Sequence, residues 1–124
     1  VRSSSAAPHP SFVVAGAGEL RDGVLEAHRI VRRGEVSPDA MLEKADYVLS
    51  VMDERLSSLG VSWNLVTSVN VYTIHALDDA LRRLLLDRIG PAARHGLCWH
   101  ITRPPVLEIE FEMDVRGLAM TMQL

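Results

Sequence analysis

Apolar residues recur every three or four positions along the middle of the chain: Met41, Ala45, Val48, Leu49, Met52, Leu56 and Leu59. Such a stripe is the buried face of an amphipathic helix, and Glu43, Lys44, Asp46, Asp53, Glu54 and Arg55 read as its solvated side. Ser37-Pro38-Asp39 supplies an N-cap, a proline at the first helical position and an acid in the first turn, and Gly60 supplies a left-handed stop. Ahead of this helix, Phe12 to Gly18 reads as a strand running into a bend. Arg21-Asp22-Gly23 reads as a turn, and Val24 to Arg33 has no clear period. From Trp63 to Ile74 the period falls to two: Leu65, Val69 and Val71 point one way, Val66, Tyr72 and Ile74 the other, as in a strand covered on both faces. A shorter helix is predicted from Ala76 to Ile89 on the stripe Leu77, Leu81, Leu84 and Leu85, closed by Gly90-Pro91. His95 to Ile101 and Leu107 to Met113 make two further strands, joined by Thr102-Arg103-Pro104-Pro105. This order predicts the α+β class: a two-layer sandwich with an antiparallel-rich mixed sheet and two helices on one face. Residues 1–11 are expected to be a flexible N-terminal tail and residues 12–124 a single domain.

The last two strands hold most of the chemistry. Alternate side chains of a strand share a face. In the first of the pair Leu97, Trp99 and Ile101 lie opposite Arg94, Gly96, Cys98 and His100; in the second Leu107, Ile109, Phe111 and Met113 lie opposite Glu108, Glu110, Glu112 and Asp114. Matching apolar with apolar in an antiparallel pair sets Trp99 against Ile109 and Leu97 against Phe111. Arg94, Cys98 and His100 then share one outward surface with Glu108, Glu110 and Glu112. That surface is either plainly solvated or covered by another subunit; the apolar company of Val66, Tyr72, Ile74 and Cys98 favours cover.

Composition excludes several classes. A chain of 124 residues with 48% hydrophobic residues is one domain with room for a core. One cysteine precludes an internal disulfide and requires no oxidising compartment. The uncharged stretch Pro10 to Gly18 is far short of the roughly 20 apolar residues that cross a bilayer. A pI near 5.9 and an aromatic content of 5% argue against nucleic acid and anionic membrane as partners. The opening Val1 to Pro8 is too polar for a signal peptide and reads as a cut boundary or tail, or as an end released by proteolysis. A cytoplasmic location is expected.

Pro91-Ala92-Ala93-Arg94 ahead of a strand, a proline-containing turn, and then Glu108-Ile109-Glu110 resemble the signature of the YjgF/RidA family of reactive-intermediate deaminases. Leu59-Gly60 at the end of the long helix and Val66-Thr67-Ser68-Val69-Asn70-Val71-Tyr72 before the short one extend the resemblance from Phe12 to Val115. It implies a homotrimer with a chorismate-mutase-like, RidA-like fold, its sheets forming an inner barrel and its sites lying between subunits. It further implies hydrolytic deamination of an enamine or imine to a 2-oxo acid and ammonia, with no metal or organic cofactor. By the resemblance Arg94 holds the substrate carboxylate, a role suited to its planar fork of donors. Glu108 directs the attacking water, His100 assists proton transfer, and Ala17, Gly18, Cys98 and Trp99 border the substrate. The chain departs from the family in carrying Ala17-Gly18-Glu19 where members often have Ser-Gly-Gln, in a shortened second helix, and in the added groups His95, Trp99 and His100. These mark a divergent member with its own substrate.

Other signals weigh less. Gly16-Ala17-Gly18 lacks the third glycine of a dinucleotide loop, Arg21 standing in its place. His9, His28, His75, His95 and His100 show no zinc spacing, and His75 reads as a helix-start residue. Cys98 is either a catalytic thiol or, the simpler reading, a small buried apolar residue. Arg103 reads as solvated in its turn, or as touching substrate. The competing class is a non-catalytic ligand-binding or scaffold trimer in which Arg94 pairs permanently with a carboxylate.

Overall fold

The computed structural model describes residues 11–106 and 108–118. The expected tail therefore falls, apart from Ser11, outside the described residues, as does Leu107. Six main elements follow in order: β1 (Phe12–Gly18), α1 (Pro38–Ser58), β2 (Ser68–Tyr72), α2 (Asp79–Ile89), β3 (Cys98–His100) and β4 (Glu112–Gly117). Short 3-10 segments lie at Arg21–Gly23, Ala27–Arg29, Trp63–Leu65 and Gly90–His95. The strands form one mixed sheet in the order β1-β4-β2-β3, with β4 antiparallel to both β1 and β2 and β3 parallel to β2. Both helices pack on one face, as the periodicity predicts.

α1 forms where its caps and stripe place it. Ser37 Oγ accepts from the Ala40 amide at 3.2 Å, Pro38 begins the helix, and Gly60 leaves it at φ 74°. Met41, Ala45, Val48, Leu49, Met52 and Leu56 are buried against Val69, Val71, Met113 and Val115 of the sheet, whereas Leu59 is exposed. Removing a buried leucine here, as in Leu49→Ala, costs about 2–5 kcal/mol. Lys44 breaks the pattern: counted on the solvated side by its spacing, it is fully buried beside Glu19. α2 starts three residues later than expected, at a cap in which Asp78 Oδ1 accepts from the Leu81 amide, so His75 is not a helix-start residue.

The strands are shorter than alternation suggests. Trp63–Leu65 is a 3-10 turn, and Val66 joins the core instead of a second apolar face. The 3-10 segment Gly90–His95 and the left-handed Gly96 occupy the predicted start of β3. β4 spans Glu112–Gly117, where Leu107–Met113 was expected. The reason is local. The Glu19 carboxylate accepts the amides of Glu110, at 2.9 and 3.1 Å, and of Phe111, at 3.0 Å, so a side chain stands where a ladder partner would. At Glu108 the backbone turns through φ 69°, which ends strand alternation there.

The expected pairing of Trp99 with Ile109 and Leu97 with Phe111 does not form, because β2 and β4 are neighbours and β3 lies beyond β2. Arg94 stands in the 3-10 segment and Glu108 in a turn, so neither belongs to the sheet surface predicted for them. The alternation within the strands does hold. Val69, Val71, Met113 and Val115 face the helices, while Cys98, His100, Asn70, Tyr72, Glu112 and Asp114 occupy the opposite face.

Candidate active site

The described residues hold two clefts that bear on the site. The larger, about 470 Å³, runs along the free edge of β1 beneath the end of α1. Gly16, Ala17 and Gly18 form its floor and Glu112 reaches into it from β4. The β1–β4 register slips between Val14 and Ala17, a bulge that turns this backbone toward the cleft. Gly16 has a steric reason to lack a side chain: a Cβ there would occupy the space of Glu112 Oε2. Gly18 is closed off differently, since a Cβ would lie 2.5 Å from Ile109 Cγ2 and 3.2 Å from the Phe111 carbonyl.

Glu112 is the chemically distinctive group of this cleft. Among the described residues no hydrogen bond or ion pair reaches its side chain. Burial, and after it the charge of Asp114, pushes its carboxyl above the ordinary glutamate range. A carboxylate so placed takes up a proton more readily than a solvated one, as a general base requires. Asp114 is tied down: Asn70 Nδ2 and the Tyr72 hydroxyl each donate to it at 2.8 Å. Burial, then that bond to Asp114, pushes the Tyr72 phenol up to about 12, so it is a neutral donor at physiological pH. His100 extends the network, its Nε2 lying 3.0 Å from Asn70 Oδ1 and its ring stacked on Tyr72 at 4.7 Å between centroids. Because Asn70 Nδ2 is spent on Asp114, Asn70 Oδ1 accepts and His100 Nε2 carries the proton.

The residues singled out in the sequence are thus divided. Ala17 and Gly18 line the larger cleft. His100 and Cys98 stand on the outer sheet face, and Cys98 is exposed, not the buried apolar residue that was favoured. Trp99 points to the helical side, where with Leu77, Leu85 and Leu97 it lines a second cleft of about 320 Å³, its indole donating to the Thr73 carbonyl at 3.0 Å. Arg94 lines neither cleft; it is exposed, and Nε donates to His95 Nε2 at 3.2 Å. Glu108 is held by Arg33 through two hydrogen bonds of 3.0 and 3.1 Å and does not line the larger cleft. Arg103, read as solvated, pairs with Glu110, which also bonds His75 at 2.8 Å. Burial alone would raise the Glu110 carboxyl, but His75 and Arg103 outweigh it and hold the group below the ordinary range.

Sequence reasoning placed Glu112 on the correct face without marking it; the signal was Gly16, the small residue against which it packs. It missed the Glu19–Lys44 pair, 2.9 Å apart and wholly buried, which fixes the segment leading into Glu112. Among the described residues no cluster of three His, Cys, Asp or Glu side chains could hold a metal, and no helix is long and apolar enough to cross a membrane.

Comparison with known proteins gives consistent results. The family described as 2-aminomuconate deaminase CnbZ matches residues 1–122. The 2-amino-5-chloromuconate deaminase of Comamonas testosteroni is 41% identical over 118 residues, which cover 94% of this chain and 46% of that protein. The chain thus spans about half the length of this relative. Among solved structures, the yeast protein YEO7 is similar with a TM-score of 0.64 at 15% identity, covering 90% of this chain and 82% of that one. The Rid-family protein YyfB of Yersinia pestis, a protein of unknown function, is similar with a TM-score of 0.59 at 15% identity, covering 89% and 79%. The four-stranded sheet with its two one-sided helices is the fold of these structures, a Rid-like fold, and the chain belongs to the 2-aminomuconate deaminase CnbZ family.

Proposed function

We propose that this chain is a hydrolytic deaminase of a carboxylate-bearing enamine or imine of the aminomuconate type, releasing ammonia and leaving a 2-oxo acid. The observation that carries the reading is Glu112: an unpaired carboxylate over Gly16, in a cleft of about 470 Å³, with its proton affinity raised by burial. The names of the matching family and of the Comamonas relative supply the substrate class.

The chemistry asks little beyond orientation and proton movement. The enamine gains a proton on carbon and gives one up from nitrogen to become the imine, whose C=N carbon is electrophilic. Water adds to that carbon while Glu112 takes its proton, and Glu112 returns the proton to nitrogen. The C–N bond of the resulting amino alcohol then breaks as the hydroxyl proton passes to the departing nitrogen, leaving a carbonyl and ammonia. Substrate and one water balance product and one ammonia, and no redox partner enters. This gives to Glu112 the role expected of Glu108, whose carboxylate is engaged with Arg33.

Arg94 keeps the role of anchoring the carboxylate beside the reacting carbon, supplied from a neighbouring copy, since in its own chain it lies outside the cleft. The sheet face opposite the helices would be covered by two further copies in a homotrimer. Exposed Val13, at 61%, with the half-buried Tyr72 and His100, supports that cover. His100, with Asn70 and Asp114, would then relay protons at the seam. Cys98 would border the substrate from the same face, and Ala17 and Gly18 from the floor of the cleft. A scaffold trimer needs Arg94 tied to a carboxylate, whereas among the described residues its only bond is to His95.

The test is ammonia release from 2-aminomuconate, generated in place, with sedimentation run in parallel. Glu112→Gln and Arg94→Ala are each expected to lower kcat/KM at least tenfold while subunit number and melting temperature stay as in the parent. Glu112→Gln turning over at the parental rate would remove the proposal.

A further inference from the structure

The larger cleft has one cation among its described lining residues, Arg55, beside the acids Asp22, Glu54 and Glu112. Arg55 lies in the last turn of α1, where Nη1 donates to the Ala15 carbonyl at 3.1 Å. No described carboxylate pairs with it, not even the adjacent Glu54. Arg32, Arg33 and Arg88 are all satisfied by acids of their own chain. A guanidinium has five donors. The Ala15 bond uses one of them and fixes the side chain at the rim, leaving Nε and Nη2 unengaged.

Where that bond falls matters. Ala15 and Gly16 are consecutive residues of the β1 bulge: the guanidinium of Arg55 sits at the first and the carboxylate of Glu112 lies over the second. Adjacent residues are about 3.8 Å apart along the backbone. A donor fork and a proton acceptor therefore border the same short stretch of cleft, and Leu20, Val51 and Ile109 give it an apolar wall. A flat unsaturated chain lies against such a wall, and a carboxylate suits the fork bidentately.

We infer that Arg55 binds the far carboxylate of a dicarboxylic substrate, the one at the opposite end of the chain from the amine-bearing carbon. This rests on the deaminase reading above and deepens it. Arg94 would hold the near carboxylate, Glu112 would serve the carbon beside it, and Arg55 would select diacids over monoacids of the same length.

The inference is tested by binding, which needs no turnover. trans,trans-Muconate and sorbate share a six-carbon diene of the same geometry and differ in carrying two carboxylates or one, and neither has an amine to lose. Calorimetry on the parent chain is expected to give muconate at least a tenfold tighter Kd than sorbate. Arg55→Gln, which keeps a donor for the Ala15 carbonyl, is expected to bind the two within about twofold of each other, and Arg55→Lys to fall between. Parent protein that binds muconate no better than sorbate, or not at all, overturns the inference, as does a preference that survives in Arg55→Gln. Either result leaves ammonia release from 2-aminomuconate untouched as the measure of the deaminase reading. Conversely, a parent chain that releases no ammonia yet shows the Arg55-dependent preference fails that reading alone.

Discussion

The Glu19–Lys44 pair makes a quantitative demand on stability. Both side chains are fully buried, and Glu19 also accepts the amides of Glu110 and Phe111. Lys44→Met leaves an uncompensated buried carboxylate, a change that costs about 3–5 kcal/mol. Glu19→Ala is worse: it strands the Lys44 ammonium at the same cost and leaves two buried amides without acceptors, at roughly 1–3 kcal/mol each. The sum, on the order of 5–11 kcal/mol, is comparable with the whole stability of a small domain. Glu19→Gln with Lys44→Met removes both charges, while the Gln carbonyl still accepts the amides; its expected cost is about 1 kcal/mol. Urea unfolding with fixed m-values measures all three. If the double variant is as unstable as Lys44→Met alone, the loss comes from packing and not from unpaired charge, and the reasoning is wrong. The same arithmetic accounts for a carboxylate at Glu19, the position at which the YjgF/RidA resemblance implies Gln: a buried lysine on α1 requires a carboxylate opposite it.

Gly16→Ala is expected to displace the Glu112 carboxylate and lower kcat/KM at least tenfold with a stability change under about 1 kcal/mol, because only a side-chain end must move. Gly18→Ala meets Ile109 and the backbone of Phe111, so thermal melting should fall there, by an amount typical of overpacking, about 1–3 kcal/mol. The acid limb of the kcat/KM profile should lie above the ordinary glutamate value of 4.5, since activity needs ionised Glu112 and burial raises its pKa; a limb at or below 4.5 contradicts the assignment. Glu110 has a lowered folded pKa, so its contribution is present above the unfolded value of 4.5 and is lost as pH falls through the folded value. His75→Ala should therefore shrink the loss of urea stability on acidification below pH 4.5, and an unchanged loss would count against that coupling.

Much of this architecture could be read from the sequence because it is set by short-range rules. α1 follows from Ser37, Pro38 and its apolar stripe, and β1 runs over Phe12–Gly18 as its composition suggests. The outer face holding Cys98, His100 and Asp114 follows from alternation, which needs only the strand and not its partner. Pairing is another matter. Apolar matching of Leu97 and Trp99 with Phe111 and Ile109 satisfies local logic, yet the crossover through α2 sets β3 parallel beside β2, and β4 goes between β1 and β2. Lys44 could not be recognised as buried because its partner Glu19 is 25 residues away on another element. Arg94 and Glu108 left the sheet surface for a similar reason: a 3-10 segment and a left-handed turn interrupt strands that alternation would have continued.

The order of the strands has a consequence for synthesis. Among the described elements β1 precedes the others in the chain and β4 follows them, yet β4 is the sheet neighbour of β1 and the link between β1 and β2. A nascent chain can close the β2–α2–β3 crossover on the ribosome, but β1 must wait for its β4 partner until that strand emerges from the exit tunnel. That strand also carries Glu112, so a polypeptide interrupted before β4 would lack both the seam that ties the sheet together and the carboxylate proposed to move the proton.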